Sequence, residues 1–447
     1  MSDQTLVVVG GGLAGCEAAW QAAERGLEVV LVEMRPGVQT GAHQTGLLAE
    51  LVCSNSLGSA LPDRASGILM AELEQMGSLL LRKAREAALP AGGALAVDRS
   101  VFADAVTKAI EVHPRIHLVR EEARAVPEGL AVIASGPLTS AGLASDLARL
   151  TGEEQLYFYD ALAPIVDAES IDLTVAFRAS RYGRGQEDEG DYLNCPLDRD
   201  EYEAFVDALL SAERHAPREF EAAILGGVRS GAGTYFEGCL PVEVIAARGR
   251  DSLAFGPLRP VGLRDPRTGR RPHAVVQLRQ DNVAGSLYNI VGFQTTLTVT
   301  AQQAVFRKIP GLMRARFARF GQMHRNTFVN APRVLRPTLQ LHKRDTLLLA
   351  GQITGVEGYL GNIATGLLAG MNAAQVGLGR PPVVLPSTTI LGALCRYITQ
   401  ADSRSFQPMK ANLGLLDDLP NAPRGKPQRG AAYASRSADA LAALLHR

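Results

Sequence analysis

The sequence predicts an α/β fold in which a doubly wound parallel sheet is interrupted by a second unit of α+β character. Three observations support this prediction. A short apolar strand, a Gly-rich turn, a helix and a second strand follow one another within about 30 residues, the length of one βαβ unit. Strands and helices then alternate to about residue 150. An apolar strand with a Gly-rich turn returns near Thr346, so the chain is expected to re-enter its first domain.

Two spacings of apolar residues predict the elements of this first domain. Short β-branched or apolar runs are typical of strands, and they occupy residues 5–9, 28–33, 116–120 and 130–135. Apolar residues three and four positions apart are typical of amphipathic helices, and they occur in 13–25, 65–89 and 99–111.

The middle of the chain has a different character. An acidic cluster at 187–191 precedes a helix that begins at Asp198 with a capping pattern, and an alternating strand pattern occurs at 273–279. The stretch from Arg424 to Arg436 mixes Pro, Gly, Lys and Arg and predicts a mobile basic tail. The expected domains are 1–155 for the first part of a cofactor-binding domain, 156–330 for an inserted substrate- and RNA-binding domain, 331–420 for the returning part, and 421–447 for the basic tail.

Composition excludes several classes of protein. With 46% hydrophobic and 21% charged residues, the chain is globular rather than disordered. Its five Cys are scattered and include no C-x-x-C pair, so neither a disulfide framework nor a metal site is expected. The first residues lack the pattern of a signal peptide, and the longest uncharged stretch is too polar for a membrane span. We therefore expect a cytoplasmic protein.

A G-x-G-x-x-G pattern lies between the first predicted strand and the first predicted helix. In this context the first Gly makes a tight turn, the second lets the backbone approach a pyrophosphate, and the third lets the helix pack on the strand. Glu33 ends the next strand, where an acid accepts hydrogen bonds from ribose hydroxyls and repels a ribose phosphate. The pattern predicts FAD or NAD rather than NADP, bound by Gly10, Gly11, Gly12, Leu13, Ala14, Gly15 and Glu33.

Two further predicted strands end in small or polar residues. One ends in Ser135 and Gly136, and the other ends in Gly351 and Gln352. Because the carboxyl ends of parallel strands meet at one edge of a sheet, both turns are expected beside the cofactor. Three contacts so far apart in sequence favour FAD over NAD. The first domain is therefore expected to be a Rossmann-like FAD-binding domain of the glutathione-reductase type, carrying the α+β domain as an insertion.

Cys53 and Cys239 are the two candidate reactive thiols. Cys53 lies in residues 50–56 (ELVCSNS), and Cys239 lies in residues 235–241 (YFEGCLP), a turn-like setting beside Gly and Pro. Both settings favour an accessible side chain, although an isolated Cys is more often a small buried hydrophobe. From these residues alone, a structural role and a chemical role both stay open for each thiol.

Charge is distributed unevenly along the chain. Basic and acidic residues balance at 46 each, but the segment from Arg248 to Arg344 contains 18 basic residues and three acidic ones, a net charge of +15. Phe and Tyr residues are interleaved with the Arg residues. Such a mixture suits an RNA backbone and unstacked bases, although a solvated surface above ordinary core aromatics produces the same pattern. RNA is therefore a candidate partner.

Several segments resemble the TrmFO family of folate- and FAD-dependent tRNA (uracil-5-)-methyltransferases, and the resemblance covers most of the chain. The segments around the two Cys are the most specific, whereas the Gly-rich pattern is shared with many flavoproteins, including the longer wobble-uridine modifier GidA or MnmG. The matching segments are residues 8–19 (VVGGGLAGCEAA), 50–57 (ELVCSNSL), 90–99 (PAGGALAVDR), 236–243 (FEGCLPVE), 265–269 (DPRTG), 323–328 (MHRNTF) and 351–359 (GQITGVEGY).

The resemblance implies that the T-loop uridine of tRNA is methylated at carbon 5 to give 5-methyluridine. Methylenetetrahydrofolate would donate the carbon, FAD would carry and reduce it, and NADH or NADPH would supply the electrons. Cys239 matches the position that attacks carbon 6 of the uracil. Cys53 matches the position near the flavin that acts as a base or transient partner.

The same resemblance assigns weaker roles to three other residues. Tyr359 matches a position expected to stack on the isoalloxazine or on the entering base, and Arg325 and Asn326 lie in a segment expected to bind substrate. The chain departs from the family pattern at residues 360–362 (LGN), where an acid-bearing stretch is usual, and at Gly58, where a basic residue is commoner.

Other functions would use these residues differently. A flavin-dependent oxidoreductase acting on a small molecule would need no RNA. A wobble-uridine modification flavoprotein would lack the Cys239 context. A non-enzymatic, flavin-bearing RNA-binding protein would need neither thiol.

Overall fold

The computed structural model describes residues 5–153, 156–183, 190–215 and 240–445. The predicted α/β class is confirmed. The first elements in chain order are β1 (Leu6–Val9), α1 (Leu13–Glu24), β2 (Val29–Val32), β3 (Ser56–Ser59), α2 (Ala65–Gln75), α3 (Leu79–Glu86), β4 (Ala88–Leu89), β5 (Ala94–Val97), α4 (Arg99–Glu111), β6 (Ile116–Val119), β7 (Leu130–Ile133) and α5 (Ala141–Thr151).

The remaining elements of the described chain fall into two groups. The middle group is β8 (Leu156–Ala161), β9 (Ile165–Asp167), β10 (Phe177–Ala179), β11 (Tyr192–Leu197), α6 (Arg199–Ser211), α7 (Val242–Ala247), α8 (Ser252–Phe255), β12 (Ala274–Gln280), β13 (Leu287–Ile290), α9 (Val299–Phe306), β14 (Phe317–Arg319) and β15 (Met323–Phe328). The last group is α10 (Ala331–Val334), β16 (Gln340–Leu341), β17 (Arg344–Leu349), β18 (Val356–Glu357), α11 (Tyr359–Gly377), α12 (Ile390–Gln400), β19 (Met409–Lys410) and α13 (Lys426–Leu445).

The first sheet has the strand order β16-β17-β7-β1-β2-β6 and is parallel except for the β16–β17 pair. Val132 in β7 lies between Val8 of β1 and Leu348 of β17. A strand from the last third of the chain therefore completes a sheet begun at the N-terminus. The carboxyl ends of β1, β7 and β17 lie at one edge, and this is the edge that carries the candidate site.

The second sheet is antiparallel, with the order β10-β11-β12-β13-β9-β14. It has its own apolar core, to which Phe205, Phe293 and Phe306 contribute fully buried rings. β8 and β15 pair with each other, outside both large sheets. The chain leaves the first sheet through β8 and returns to it through β15.

Helices α1 and α11 pack closely because small residues line their contact. A β-carbon at Gly366 would lie 2.3 Å from the carbonyl oxygen of Ala14, and one at Gly370 would lie 2.3 Å from that of Ala18. Helix α1 follows β1, and α11 belongs to the last group of elements. Both helices begin at the edge of the sheet that carries the candidate site. Their close contact therefore fixes the two helix N-termini relative to each other.

Two local predictions need correction. The helix predicted over 65–89 is divided into α2 and α3, because Gly77 takes a φ of +74° and Ser78 then caps α3. The expected mobile basic tail forms the 20-residue helix α13. This helix is ordered by packing, since Tyr433 and Leu441 are buried and the hydroxyl of Ser437 donates to Glu72 Oε1 at 2.5 Å.

No helix in the described part of the chain is long and apolar enough to cross a membrane.

Candidate active site

The Gly-rich turn after β1 has the geometry of a phosphate-binding turn. Gly10 has a φ of +106°, and a β-carbon at Gly15 would lie 1.7 Å from the carbonyl oxygen of Gly10. In contrast, a β-carbon at Gly12 would meet no atom within 4 Å. Leu13 and Ala14 form the first turn of α1, which contains no acidic residue. The N-terminus of α1 therefore faces open space with free capacity to bind an anion.

Glu33 lies at the end of β2, beside this turn. Its Oε2 accepts a hydrogen bond from the backbone N–H of Gly11 at 2.7 Å, and its Oε1 accepts one from Arg35 Nε at 2.8 Å. Burial raises the pKa of the Glu33 carboxyl, but the charge and hydrogen bonds of Arg35 outweigh burial and leave the pKa below its ordinary value. The side chain is therefore a buried carboxylate with lone pairs left for ribose hydroxyls.

The turns after β7 and β17 lie beside the Gly-rich turn. A β-carbon at Gly10 would lie 2.8 Å from the Cα of Ser135, whose hydroxyl is 2.7 Å from Thr139 Oγ1. Gly136 and Gly351 both have positive φ, +70° and +79°. The structure thus brings together at one edge the three strand ends that the sequence predicts to meet there.

A cavity of about 520 Å³ opens next to these turns. Cys53, Asn326, Gln352 and Tyr359 all line it, although they are separated by up to about 300 positions in the chain. Gln352 Nε2 also donates to Glu357 Oε1 at 2.7 Å, which fixes the amide on the cavity wall. Four of the predicted site residues therefore share one cavity.

Tyr359 joins α11 to the Cys53 loop. Its hydroxyl oxygen accepts hydrogen bonds from the backbone N–H groups of Cys53, at 2.8 Å, and Ser54, at 3.0 Å. Burial, together with the nearby Cys53, raises the pKa of Tyr359 above its ordinary value, so the side chain stays a neutral phenol. The resemblance assigns a stacking role to this residue, and the structure adds a positional one.

Two predicted residues lie outside what the structure describes. Cys239 is outside the described residues, and so is the side chain of Arg325 in β15. Asn326, the next residue in β15, is buried and lines the cavity. The roles of Cys239 and Arg325 therefore stay predictions.

A group of Arg side chains surrounds Cys53, and this group is not apparent from the sequence. Arg279 is 7% exposed and donates from Nε to Asn55 Oδ1 at 2.7 Å. Arg99 donates from Nε to Asp281 Oδ1 at 3.2 Å. Arg319 has two buried nitrogens. Arg279 and Arg319 belong to the basic segment for which the sequence suggests RNA contacts. Each follows an apolar strand residue, and because side chains alternate between the two faces of a strand, the local pattern gives no signal that these Arg side chains are buried.

Ion pairs neutralise more of the positive charge of the basic segment than its composition predicts. Many of its Arg side chains form ion pairs, such as Arg316 with Asp167 at 2.9 Å and Arg267 with Asp265 at 2.7 Å. The exposed basic side chains for which no ion pair with a described residue is found are Arg259, Arg264, Arg270, Arg271, Arg307, Lys308, Arg314 and Lys343.

Four of the aromatic residues that the sequence suggested as an RNA-stacking surface lie instead in the apolar cores. Tyr288, Phe293, Phe306 and Phe328 are all at most 2% exposed. They belong to the apolar cores because burial of their rings stabilises the fold. The charges of the segment, the half-buried Phe317 and Phe320, and the exposed Phe255 are left as candidate RNA contacts.

The residues at the sheet edge fit FAD. The open Gly12 position accommodates a pyrophosphate, and the carboxylate of Glu33 suits a ribose. Asn362, in the first turn of α11, has a buried Oδ1 without a hydrogen-bond partner among the described residues. Residues 358–362 at the N-terminus of this 19-residue helix line the cavity. A polar ring system that carries both an N–H donor and carbonyl acceptors would satisfy both: the N–H would donate to Asn362 Oδ1, and the carbonyls would accept from the helix N-terminus.

Comparison with solved structures shows a shared fold. GidA of Aquifex aeolicus in its form I crystal has a TM-score of 0.67 and 18% sequence identity, with 89% of this chain and 70% of that chain covered. The form II crystal has a TM-score of 0.65 and 17% identity, with 89% and 67% covered.

Sequence comparison identifies the family. Residues 5–381 match the family described as glucose inhibited division protein A. A methylenetetrahydrofolate–tRNA-(uracil-5-)-methyltransferase TrmFO of Moorella thermoacetica is 55% identical over 438 residues, which cover 98% of this chain and 97% of that relative. The TrmFO of Bacillus cytotoxicus is 52% identical over 441 residues, or 99% of each chain. Because these relatives match it from end to end, the chain belongs to the TrmFO family within the wider GidA family.

Proposed function

We propose that this protein is a methylenetetrahydrofolate–tRNA-(uracil-5-)-methyltransferase that methylates carbon 5 of the T-loop uridine of tRNA. The observation that carries the proposal is the position of Cys53 on the cavity wall, tied through its backbone to Tyr359, in a chain 55% identical to a relative with that activity in its name. We propose a cytoplasmic location, because tRNA is the substrate.

The thiols carry out the chemistry on the uracil. Carbon 5 of a uracil is a poor nucleophile until a thiolate adds to carbon 6. We assign that attack to Cys239. After carbon 5 has accepted the new carbon, its proton must leave before the thiolate is expelled. We assign the acceptance of that proton to Cys53, and its position on the cavity wall supports this assignment.

Other side chains hold the reactants in place. FAD, when bound, supplies the electrons that reduce the transferred carbon to a methyl group, and NADH or NADPH replaces them. Residues 10–15, Glu33, Ser135, Gly136 and Gly351 would hold FAD at the edge of the sheet. Gln352 and Asn326 present amides to the cavity and would orient the substrates there. Tyr359 fixes the Cys53 loop.

The direct test supplies purified protein with unmodified tRNA transcript, NADPH or NADH, and methylenetetrahydrofolate, and measures 5-methyluridine by nucleoside analysis. We expect 5-methyluridine to form only when folate is present. The Cys239→Ala variant should form none and should keep its flavin absorbance. A yellow protein that oxidises NADPH but forms no 5-methyluridine would contradict the proposal and favour an oxidoreductase for small molecules.

A further inference from the structure

The loop that carries Cys53 is held by an arginine on each side. Arg99 Nη1 donates to the carbonyl oxygens of the two residues before Cys53, at 3.1 and 3.4 Å. Arg279 donates to Asn55 Oδ1 and to Ser54 Oγ, both at 2.7 Å. Two guanidinium groups from different parts of the chain therefore fix the loop and place positive charge close to the thiol.

A third guanidinium, that of Arg319 in β14, has two nitrogens without a hydrogen-bond partner among the described residues. Nε and Nη2 of Arg319 are buried and form no hydrogen bond with any described residue. Burial and the nearby Arg99 lower the pKa of Arg319 to about 10, while Asp281, Tyr359 and Cys53 favour its charged form. Arg319 is thus a cation at neutral pH. A buried cation without a partner is costly, so an anion is needed close to it.

The acidic group nearest to this cluster cannot balance all three cations. Asp281 Oδ1 lies 3.1 Å from Arg99 Nη2 and is 6% exposed. One carboxylate therefore faces Arg99, Arg279 and Arg319. Among the described residues, the cluster therefore has surplus positive charge before the thiol is counted.

The remaining titratable groups that face Cys53 do not supply the missing anion. Tyr359 stays a phenol because burial raises its pKa. Glu357 and Lys410 line the same cavity with opposite charges. The thiol of Cys53 is the group among the described residues that can become the anion, because positive charge nearby favours a thiolate.

We propose that Arg319, acting with Arg99 and Arg279, keeps the Cys53 side chain as a thiolate at neutral pH. The Sγ proton passes to solvent, and no other bond changes. Arg319 is a positioning residue in this role, because it acts through Cys53. The thiolate state does not depend on the substrate of the site, so this inference and the methylation assay can fail separately.

The test measures alkylation of Cys53 by iodoacetamide across a range of pH. The flavin-loaded protein carries Cys239→Ser, and Cys16, Cys195 and Cys395 are buried, so Cys53 is followed by mass spectrometry of its peptide. The thiolate displaces iodide and forms a carbon–sulfur bond. We expect the midpoint of the rate profile to lie below about pH 7, well under the ordinary value of about 8.5.

Variants of Arg319 separate charge from packing. Arg319→Gln should move the midpoint upward by about one unit and slow alkylation near pH 6.5 about tenfold, whereas Arg319→Lys should restore most of the rate. Arg314→Gln removes an exposed charge five positions earlier and should change nothing.

Three results would overturn the proposal: an ordinary midpoint in the parent protein, the same midpoint in Arg319→Gln, or no alkylation at any pH. If Arg319→Gln loses its flavin and fails to fold, the midpoints of the parent and of Arg319→Lys are compared instead. Low midpoints in both proteins support the proposal, and an ordinary midpoint in either contradicts it.

Discussion

Tyr359 shows how one side chain can connect two distant parts of a site. Its hydroxyl accepts two backbone hydrogen bonds from the Cys53 loop, while its backbone begins α11. A phenylalanine would fill the same space, but it would leave the N–H groups of Cys53 and Ser54 without their acceptor. The cost of losing such partners is about 1–3 kcal/mol, and here it would appear as disorder of the thiol.

We therefore expect Tyr359→Phe to lower the rate of 5-methyluridine formation about tenfold or more while flavin absorbance is retained. The measurement is the single-turnover rate with the enzyme in excess over tRNA and with folate saturating. Tyr397→Phe is the matched control, because the Tyr397 hydroxyl donates to the carbonyl oxygen of Gln407 at an exposed position. Equal rates for Tyr359→Phe and the parent would show that the hydroxyl does not position Cys53.

At the scale of elements, the contact between α1 and α11 depends on the absence of side chains. Even a methyl group at Gly366 would lie 2.3 Å from a backbone oxygen of α1, so the helices would have to separate. Because both N-termini border the cofactor site, separation should reduce flavin binding as well as stability.

We expect Gly366→Ala to destabilise the protein by about 2 kcal/mol and to weaken flavin retention. Thermal unfolding and the ratio of flavin to protein after gel filtration measure the two effects. Gly377→Ala is the control in the last turn of the same helix, where a β-carbon would meet only movable Leu side chains at 3.1 Å. A Gly366→Ala variant with normal flavin content and melting temperature would contradict this account of the contact.

A second element-scale feature is Glu72 in α2, which connects three helices. Its carboxylate accepts hydrogen bonds from the N–H groups of Ile390 and Leu391 at the start of α12, and from Ser437 in α13. Burial raises the pKa of Glu72, although these hydrogen bonds oppose the shift. A group whose folded pKa is raised stabilises the fold at low pH and loses that contribution as pH rises through the folded pKa.

The melting temperature of the parent minus that of Glu72→Gln should therefore decrease as the pH rises from about 5 to 8. The parent loses the contribution of Glu72 over this range, whereas glutamine does not titrate. Measuring both proteins at each pH cancels the titration of other groups. Glu74→Gln, on the same helix with an exposed side chain, is the matched control for removal of an acidic group. A Glu72→Gln difference that grows with pH would mean that the carboxylate form is favoured by folding.

At the scale of the whole molecule, neutral net charge hides an uneven distribution. The basic segment keeps exposed charges such as Arg270 and Arg271 after its ion pairs are counted. Contacts between such side chains and phosphates release counterions, and each one steepens the salt dependence of RNA binding.

The double variant Arg270→Gln, Arg271→Gln should lower the slope of log affinity against log salt concentration by about 1.4 to 1.8, with flavin content unchanged. Filter binding with tRNA across a salt series measures the slope. Arg316→Gln is the control, because Arg316 already pairs with Asp167 and Glu169. An unchanged slope in the double variant would place the tRNA on another face.

Much of the fold and part of the site could be predicted from local patterns. The Gly10–Gly15 turn, the position of Glu33 after β2, the limits of α4 and the Asp198 cap of α6 all depend on residues within a few positions of one another. Strand and helix periods and turn chemistry operate over such short distances, so the sequence contains them directly.

The rest depends on partners that are far apart in the chain. Helix α13 is ordered because Ser437 reaches Glu72, 365 positions away. Arg279 is buried because Ser54 and Asn55 accept its hydrogen bonds. Neither partner can be identified from the local sequence, where a basic residue indicates an exposed surface. Only the tertiary structure shows that the Arg residues near Cys53 form a charged cluster, because burial and electrostatic interaction are properties of the folded chain.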